Sequence, residues 1–179
     1  MSSPAYTDPS RRPELQDPPL AERLRPEVLL GSLFLSGFAP VLRGTAGTAV
    51  AATGLGLWIM LASPSPLALW GAALALSVAS LALGERVLRR PGQGPDPGWF
   101  VMDEAAAFAL LVALLGNPSW ADFCFAFIVF RFYDIAKPWP VSSFEHLPRS
   151  AGILADDLAA ACLGAWTIWA LRLLAPAHV

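Results

Sequence analysis

Charge is what this chain has least of. Only 15% of its 179 residues are Asp, Glu, Lys or Arg, where soluble domains carry roughly 25%. The formal charge at neutral pH is −2, which argues against a nucleic-acid partner held through its phosphates. Cysteine and histidine are scarce too, two of each. Cys124 and Cys162 stand alone in apolar runs and are expected to be small buried hydrophobes rather than a disulfide or metal framework. His146 falls in a polar linker and His178 near the C-terminus, so neither is well placed as a nucleophile. No signal peptide is visible.

What is present is hydrophobic. Apolar residues make up 55% of the chain, mean hydropathy is +0.53, and the length suits one domain with a sizeable core. Seven Trp and ten Phe suit belts at a membrane interface. Residues 1–27 are polar and proline-rich and are expected to form a disordered cytoplasmic tail. Residues 28–176 are expected to form a single membrane domain. Its first apolar run, Val28 to Leu42, is short for a span of about 20 residues. Gly31, Gly37 and Pro40 interrupt it, which predicts a re-entrant or broken helix. Further apolar runs cover Ala49 to Ala62, Leu67 to Leu83, Trp120 to Ala136 and Gly152 to Leu174. The fold class expected is all-α: an integral membrane helical bundle with several short or broken transmembrane helices. Seven arginines fall in the N-terminal tail and in the segment from Arg86 to Arg90. Placing both on the cytoplasmic side satisfies the positive-inside rule.

The few charges cluster where apolar helices should end. Arg131, Asp134 and Lys137 are spaced three apart, so a helix would put them on one face. Pro138 stops that helix, and the cations suit its negative end. Asp103-Glu104 and Asp156-Asp157 each open an apolar stretch. An acid pair at a helix start suits the dipole, yet carboxylates at membrane depth are expensive and usually functional. Five carboxylates gathered together repel unless cations neutralise them, and oxygen-rich clusters suit Mg²⁺. Gly44-Thr45-Ala46-Gly47-Thr48 is expected to be a tight turn whose backbone N–H groups and hydroxyls cradle a phosphate at a helix N-terminus. Small residues also let membrane helices pack closely.

Taken in order and spacing, these segments resemble the phosphatidylglycerophosphatase A family. The resemblance covers about Leu29 to Ala161. It rests on Gly44-Thr45-Ala46-Gly47-Thr48, Asp96-Pro97, Asp103-Glu104, Asp156-Asp157 and above all Arg131-x-x-Asp134-x-x-Lys137-Pro138-x-Pro140. It implies an all-helical, multi-pass enzyme of the bacterial inner membrane with its active site on the cytoplasmic side. That enzyme would be a Mg²⁺-dependent lipid phosphatase converting phosphatidylglycerophosphate to phosphatidylglycerol. The family's Gly-Gly-x-Gly run is Ser150-Ala151-Gly152 here, and its aspartate after the Lys-Pro-x-Pro segment is Glu145.

The residues assign roles accordingly. Asp103, Glu104, Asp134, Asp156 and Asp157 form the metal-binding and acid–base set. Arg131 offers a planar fork for phosphate oxygens and Lys137 a point charge. Thr45, Thr48, Gly44 and Gly47 add backbone and hydroxyl donors. Other phosphatase chemistries fail: six residues, not five, separate Cys124 from Arg131, and there is no Asp-x-Asp motif and no Walker-type loop. The rival readings are a small transporter of divalent cations or protons and an inactive relative that binds anionic lipid. Nothing in the sequence speaks to oligomeric state.

Overall fold

The structure, a computed structural model, describes residues 17–90, 94, 96–116 and 118–174, without the side chain of Glu145. Among them there is no strand. The helices are α1 (Pro26–Gly31), α2 (Arg43–Ala62), α3 (Pro66–Leu88), α4 (Met102–Leu115), α5 (Trp120–Ala136) and α6 (Ser150–Leu174), with short 3₁₀ turns between them.

Local signals set the helix ends. Pro66 stands at the start of α3, and the Ser65 hydroxyl accepts from the Ala68 N–H at 3.3 Å. A capping box opens α5: Ser119 caps the Asp122 N–H and the Asp122 carboxylate reaches back to Ser119. At its other end Lys137 turns left-handed at φ 42° ahead of Pro138. The broken first run is observed: α1 stops at Gly31, and three positive-φ residues, Leu33 to Leu35, lead into a 3₁₀ turn over Ser36–Phe38.

Three helices, α2, α3 and α6, are long and apolar enough to cross a membrane. Twenty residues of α2 rise about 30 Å, the thickness of the hydrocarbon core. Their outward faces carry exposed Leu57, Met60, Leu74, Val78, Trp166 and Leu173, an apolar shell that a bilayer would cover. The centre is α4, with 14 residues too short to span alone. It is hydrophobic all round and buried on nearly every side, packed against α2, α3, α5 and α6. Phe108 anchors it, edge-on to Phe123 at 5.5 Å and tilted on Phe130 at 6.1 Å. A second cluster joins Val28, Trp99 and Phe100 to α3. There Gly37 is required, because a Cβ would lie 1.9 Å from the Trp99 carbonyl oxygen.

Three expectations need correction. Arg43 to Thr48 is not a turn: α2 begins at Arg43, so both glycines lie in its first turns. Their small size serves close packing, since a Cβ on Gly47 would meet Val101 Cβ at 2.6 Å. Cys124 and Cys162 are exposed on outward helix faces, because an apolar outer surface gives a thiol no reason to turn inward. The disordered tail placed over residues 1–27 is covered only in part, residues 1–16 lying outside the described residues. The remainder is seated: Asp17 accepts two hydrogen bonds from Arg43 at 2.8 and 2.9 Å, and Glu27 accepts from Arg90 at 2.8 Å.

Candidate active site

The short links 63–65 and 116–119 make α2–α3 and α4–α5 antiparallel. The starts of α2, α4 and α6 therefore gather at one end with the finishes of α3 and α5. The close approaches agree: Gly44 of α2 lies against Glu104 and Arg131, and Gly84 of α3 against Ser150. Three positive helix ends thus point into one region.

A cavity of about 210 Å³ opens there. Asp103 and Glu104 enter from α4, Asp134 from α5, Asp156 and Asp157 from α6, and Lys137 from just beyond α5. All five sequence-nominated acids and Lys137 line it, along with Asp96, Gly98, Phe100 and Ile153. Asp103, Asp134, Asp156 and Asp157 are buried. Carboxylate oxygens of Asp103, Glu104 and Asp157 lie within 4.8 Å of one another.

The cations are tied into this set. Arg131 pairs with Asp134 one turn along α5 and lies 3.7 Å from Glu104. It also donates to the Thr48 hydroxyl at 3.3 Å, and Thr48 in turn donates to the Gly44 carbonyl at 2.9 Å. Lys137 donates to Asp156 at 2.6 Å. The expected shared face of Arg131, Asp134 and Lys137 holds for the first two. Lys137 leaves the helix and swings to α6, because its backbone is already left-handed.

Among the described residues, three buried polar atoms here have no hydrogen-bond partner: Glu104 Oε2, Arg131 Nε and Asp156 Oδ1. Unpaired buried polar atoms cost about 1–3 kcal/mol each, more when charged, so their grouping in one site signals a ligand. Six carboxylates, Asp96 included, and Lys137 line the cavity, and carboxylates gathered this closely repel one another unless cations neutralise them. The donor set is all oxygen, which suits a hard divalent cation.

The remaining nominations divide. Thr48 and Gly44 adjoin Arg131 and Glu104; a Cβ on Gly44 would fall 2.1 Å from Glu104 Oε1, so glycine is what admits that carboxylate. Gly47 packs on Val101, and Thr45 in the first turn of α2 is not among the cavity-lining residues. Ser150-Ala151-Gly152 forms the first turn of α6, and the Ser150 hydroxyl donates to Glu85 at 3.0 Å, outside the cavity lining. Asp96 joins the lining although the sequence points to it only through the family's Asp96-Pro97; its local signal is an acid seven residues ahead of the Asp103-Glu104 pair.

A helical bundle with a cluster of carboxylates, an arginine and a lysine at one end of apolar helices has the make-up of a membrane-associated protein that handles anionic or cationic ligands there. The comparisons specify the class. The family model for phosphatidylglycerophosphatase A matches residues 29–172, and the chain belongs to that family of lipid phosphatases. A Bacteroides thetaiotaomicron protein, provisionally named a phosphatidylinositol-3-phosphatase, is 33% identical over 138 residues, covering 74% of this chain and 85% of its own. The phosphatidylglycerophosphatase A of Escherichia coli is 27% identical over 143 residues, 79% of this chain and 80% of its own. That of Haemophilus influenzae is 36% identical over 78 residues, 43% and 48% respectively. No solved structure matches.

Proposed function

We propose that this chain is a Mg²⁺-dependent phosphatidylglycerophosphatase of phospholipid biosynthesis. It would cleave the terminal phosphomonoester of phosphatidylglycerophosphate, leaving phosphatidylglycerol and inorganic phosphate. The observation that carries the reading is Arg131: partly buried, shared between Glu104 and Asp134, with its enclosed Nε unpartnered among the described residues, beside a cluster of three carboxylates. A guanidinium with donor capacity left over suits phosphate oxygens.

In this reading Asp103, Glu104 and Asp157 hold Mg²⁺. When bound, Mg²⁺ would supply charge to the phosphoryl oxygens and favour ionisation of the attacking water. Arg131 and Lys137 bind and orient the phosphate. Asp134 and Asp156 hold those two cations in place, which lowers the entropy lost when the substrate arrives. Phosphoryl transfer needs in-line geometry and charge stabilisation more than covalent participation. A cavity carboxylate accepts the proton of the attacking water, and a proton returned from the cavity's carboxyl groups neutralises the leaving alkoxide as the P–O bond breaks. Thr48 fixes the tilt of the Arg131 fork.

Orientation follows from charge. The described cations at the site end include Arg23, Arg25, Arg43, Arg86, Arg89, Arg90 and Arg149, whereas the links at the far end carry none and Arg172 of α6 pairs with Asp122 at 2.8 Å. The positive-inside rule puts the site end on the cytoplasmic face of a bacterial inner membrane, with the longer helices crossing it.

A second substrate reading, phosphatidylinositol 3-phosphate, rests on the name of the Bacteroides relative. Purified protein in detergent with Mg²⁺ should release phosphate from phosphatidylglycerophosphate faster than from phosphatidylinositol 3-phosphate or phosphatidic acid. Preference for either of the latter keeps the reaction and replaces the substrate. No release from any of them, with the helical fold intact, overturns the proposal in favour of the transport or lipid-binding readings. A transporter needs a sealed bilayer and a gradient; a hydrolase needs neither.

A further inference from the structure

Between α2 and α5 runs an apolar groove of about 550 Å³, lined by Ala49, Thr53, Gly56 and Met60 on one side and Trp120 and Phe127 on the other. Its lining contains no charged residue. Its head is the bridge from Arg131 to Thr48, which joins the same two helices at 3.3 Å. Thr48 directly precedes Ala49, and Ile128, also in the lining, is three residues from Arg131. The groove therefore begins within one helical turn of the bridge that Arg131 makes between the two helices. From Ala49 to Met60 it follows α2 for about 16 Å at 1.5 Å per residue, close to the roughly 15 Å of one leaflet's hydrocarbon.

We propose that this groove holds one acyl chain of the lipid whose phosphate sits at Arg131, and that it makes the enzyme selective for chain length. The inference rests on the lipid-phosphatase reading above. Continuity argues for this occupant. A phospholipid monoester joins an anionic head to an apolar chain, and here a partly buried guanidinium whose Nε has no partner among the described residues stands at the end of an apolar channel. A helix from a second copy, about 10–12 Å across, would need more than twice this volume over the same length. Gly56 keeps the floor open: a Cβ there would approach Trp120 and Phe123 at 3.5–3.6 Å, ordinary contact, so larger side chains would project into the channel.

The test is chain-length dependence combined with a direct probe of occupancy. Ala49→Trp and Met60→Trp, both at exposed helix positions, should obstruct the groove near its head and its far end respectively. Chains long enough to reach the new side chain should lose kcat/KM by roughly tenfold, the cost of forcing a bulky group into an occupied channel. Met60→Trp should penalise only long-chain phosphatidylglycerophosphate, and Ala49→Trp should penalise medium chains as well. Independently, long-chain phosphatidylglycerophosphate in a chelator should slow maleimide labelling of Cys124, which lines the groove, and leave Cys162 unaffected. Equal penalties at all chain lengths with no protection of Cys124 would overturn the proposal, as would protection through a Cys124–Cys124 crosslinkable dimer. If the wild type hydrolyses no lipid, the phosphatase reading fails, and Cys124 protection still decides the groove.

Discussion

Gly44 shows how closely the first turn of α2 and the acid cluster are fitted. A methyl there would meet Glu104 Oε1 at 2.1 Å and Arg131 at 2.9 Å, both ends of movable side chains. Gly44→Ala should therefore fold, with helix propensity favouring Ala by up to about 1 kcal/mol, while pushing both groups off position. The expected result is an unchanged or raised melting temperature with a large loss of phosphatase activity; full activity would show that Glu104 and Arg131 need no such placement. Asp103→Asn and Asp157→Asn each remove a charge that a divalent ion needs and should lower turnover by orders of magnitude with helicity retained, read by phosphate release and circular dichroism. Arg131→Lys keeps the charge and loses the fork, so about a hundredfold loss is expected. The acids were legible in the sequence because carboxylates stand out against apolar runs. Gly44 and Thr48 were picked out but given the wrong geometry: a glycine-threonine repeat reads equally as a phosphate turn or as a helix packing face, and only neighbours distant in sequence decide. Thr45 had the same signal and, like Gly44 and Thr48, lies outside the cavity lining, but it has no contact with Arg131 or Glu104 like theirs among those described.

The elements depend on their ends. The capping box makes Ser119→Ala cost about 1 kcal/mol, and it sits at the far end from the cavity, so thermal stability should fall while activity per folded molecule holds. At the other end, Glu27 ties α1 to Arg90 just beyond α3. A backbone hydrogen bond at Glu27 and the pairing with Arg90 hold its carboxyl below the usual carboxylate range. Its tie is thus complete above the unfolded carboxyl's pKa and is lost as pH falls through the lower folded value. Stability measured against acid should drop less steeply in Glu27→Gln than in the wild type; identical acid profiles would remove the tie from the account. Helix existence was readable from apolar runs, and the stop of α5 from Pro138. The start of α2 was not: Pro40 and the glycines suggested a loop through Thr48, whereas packing against Val101 and Glu104 favours helix from Arg43. The seating of Asp17 on Arg43 was also hidden, because a proline-rich polar stretch carries no local sign of a distant partner.

At the scale of the molecule, a buried α4 is ringed by longer helices with apolar outer faces. The protein should therefore sediment with membranes and resist high-salt and alkaline washing; release by salt alone would contradict a spanning bundle. The meeting of the starts of α4 and α6 with the finish of α5 explains how charges scattered over residues 96–157 come to share one cavity, which no local pattern in the chain reveals. The most direct test of the account is phosphate release by the purified protein as Mg²⁺ is titrated, beside direct Mg²⁺ binding by calorimetry, for the wild type and Asp157→Asn. The account expects saturable activation, abolition by chelator, and weakened binding and activity together in the variant. Full activity in chelator, or Mg²⁺ binding unchanged by Asp157→Asn, would contradict the assignment of the acid cluster as the metal site of a lipid phosphatase.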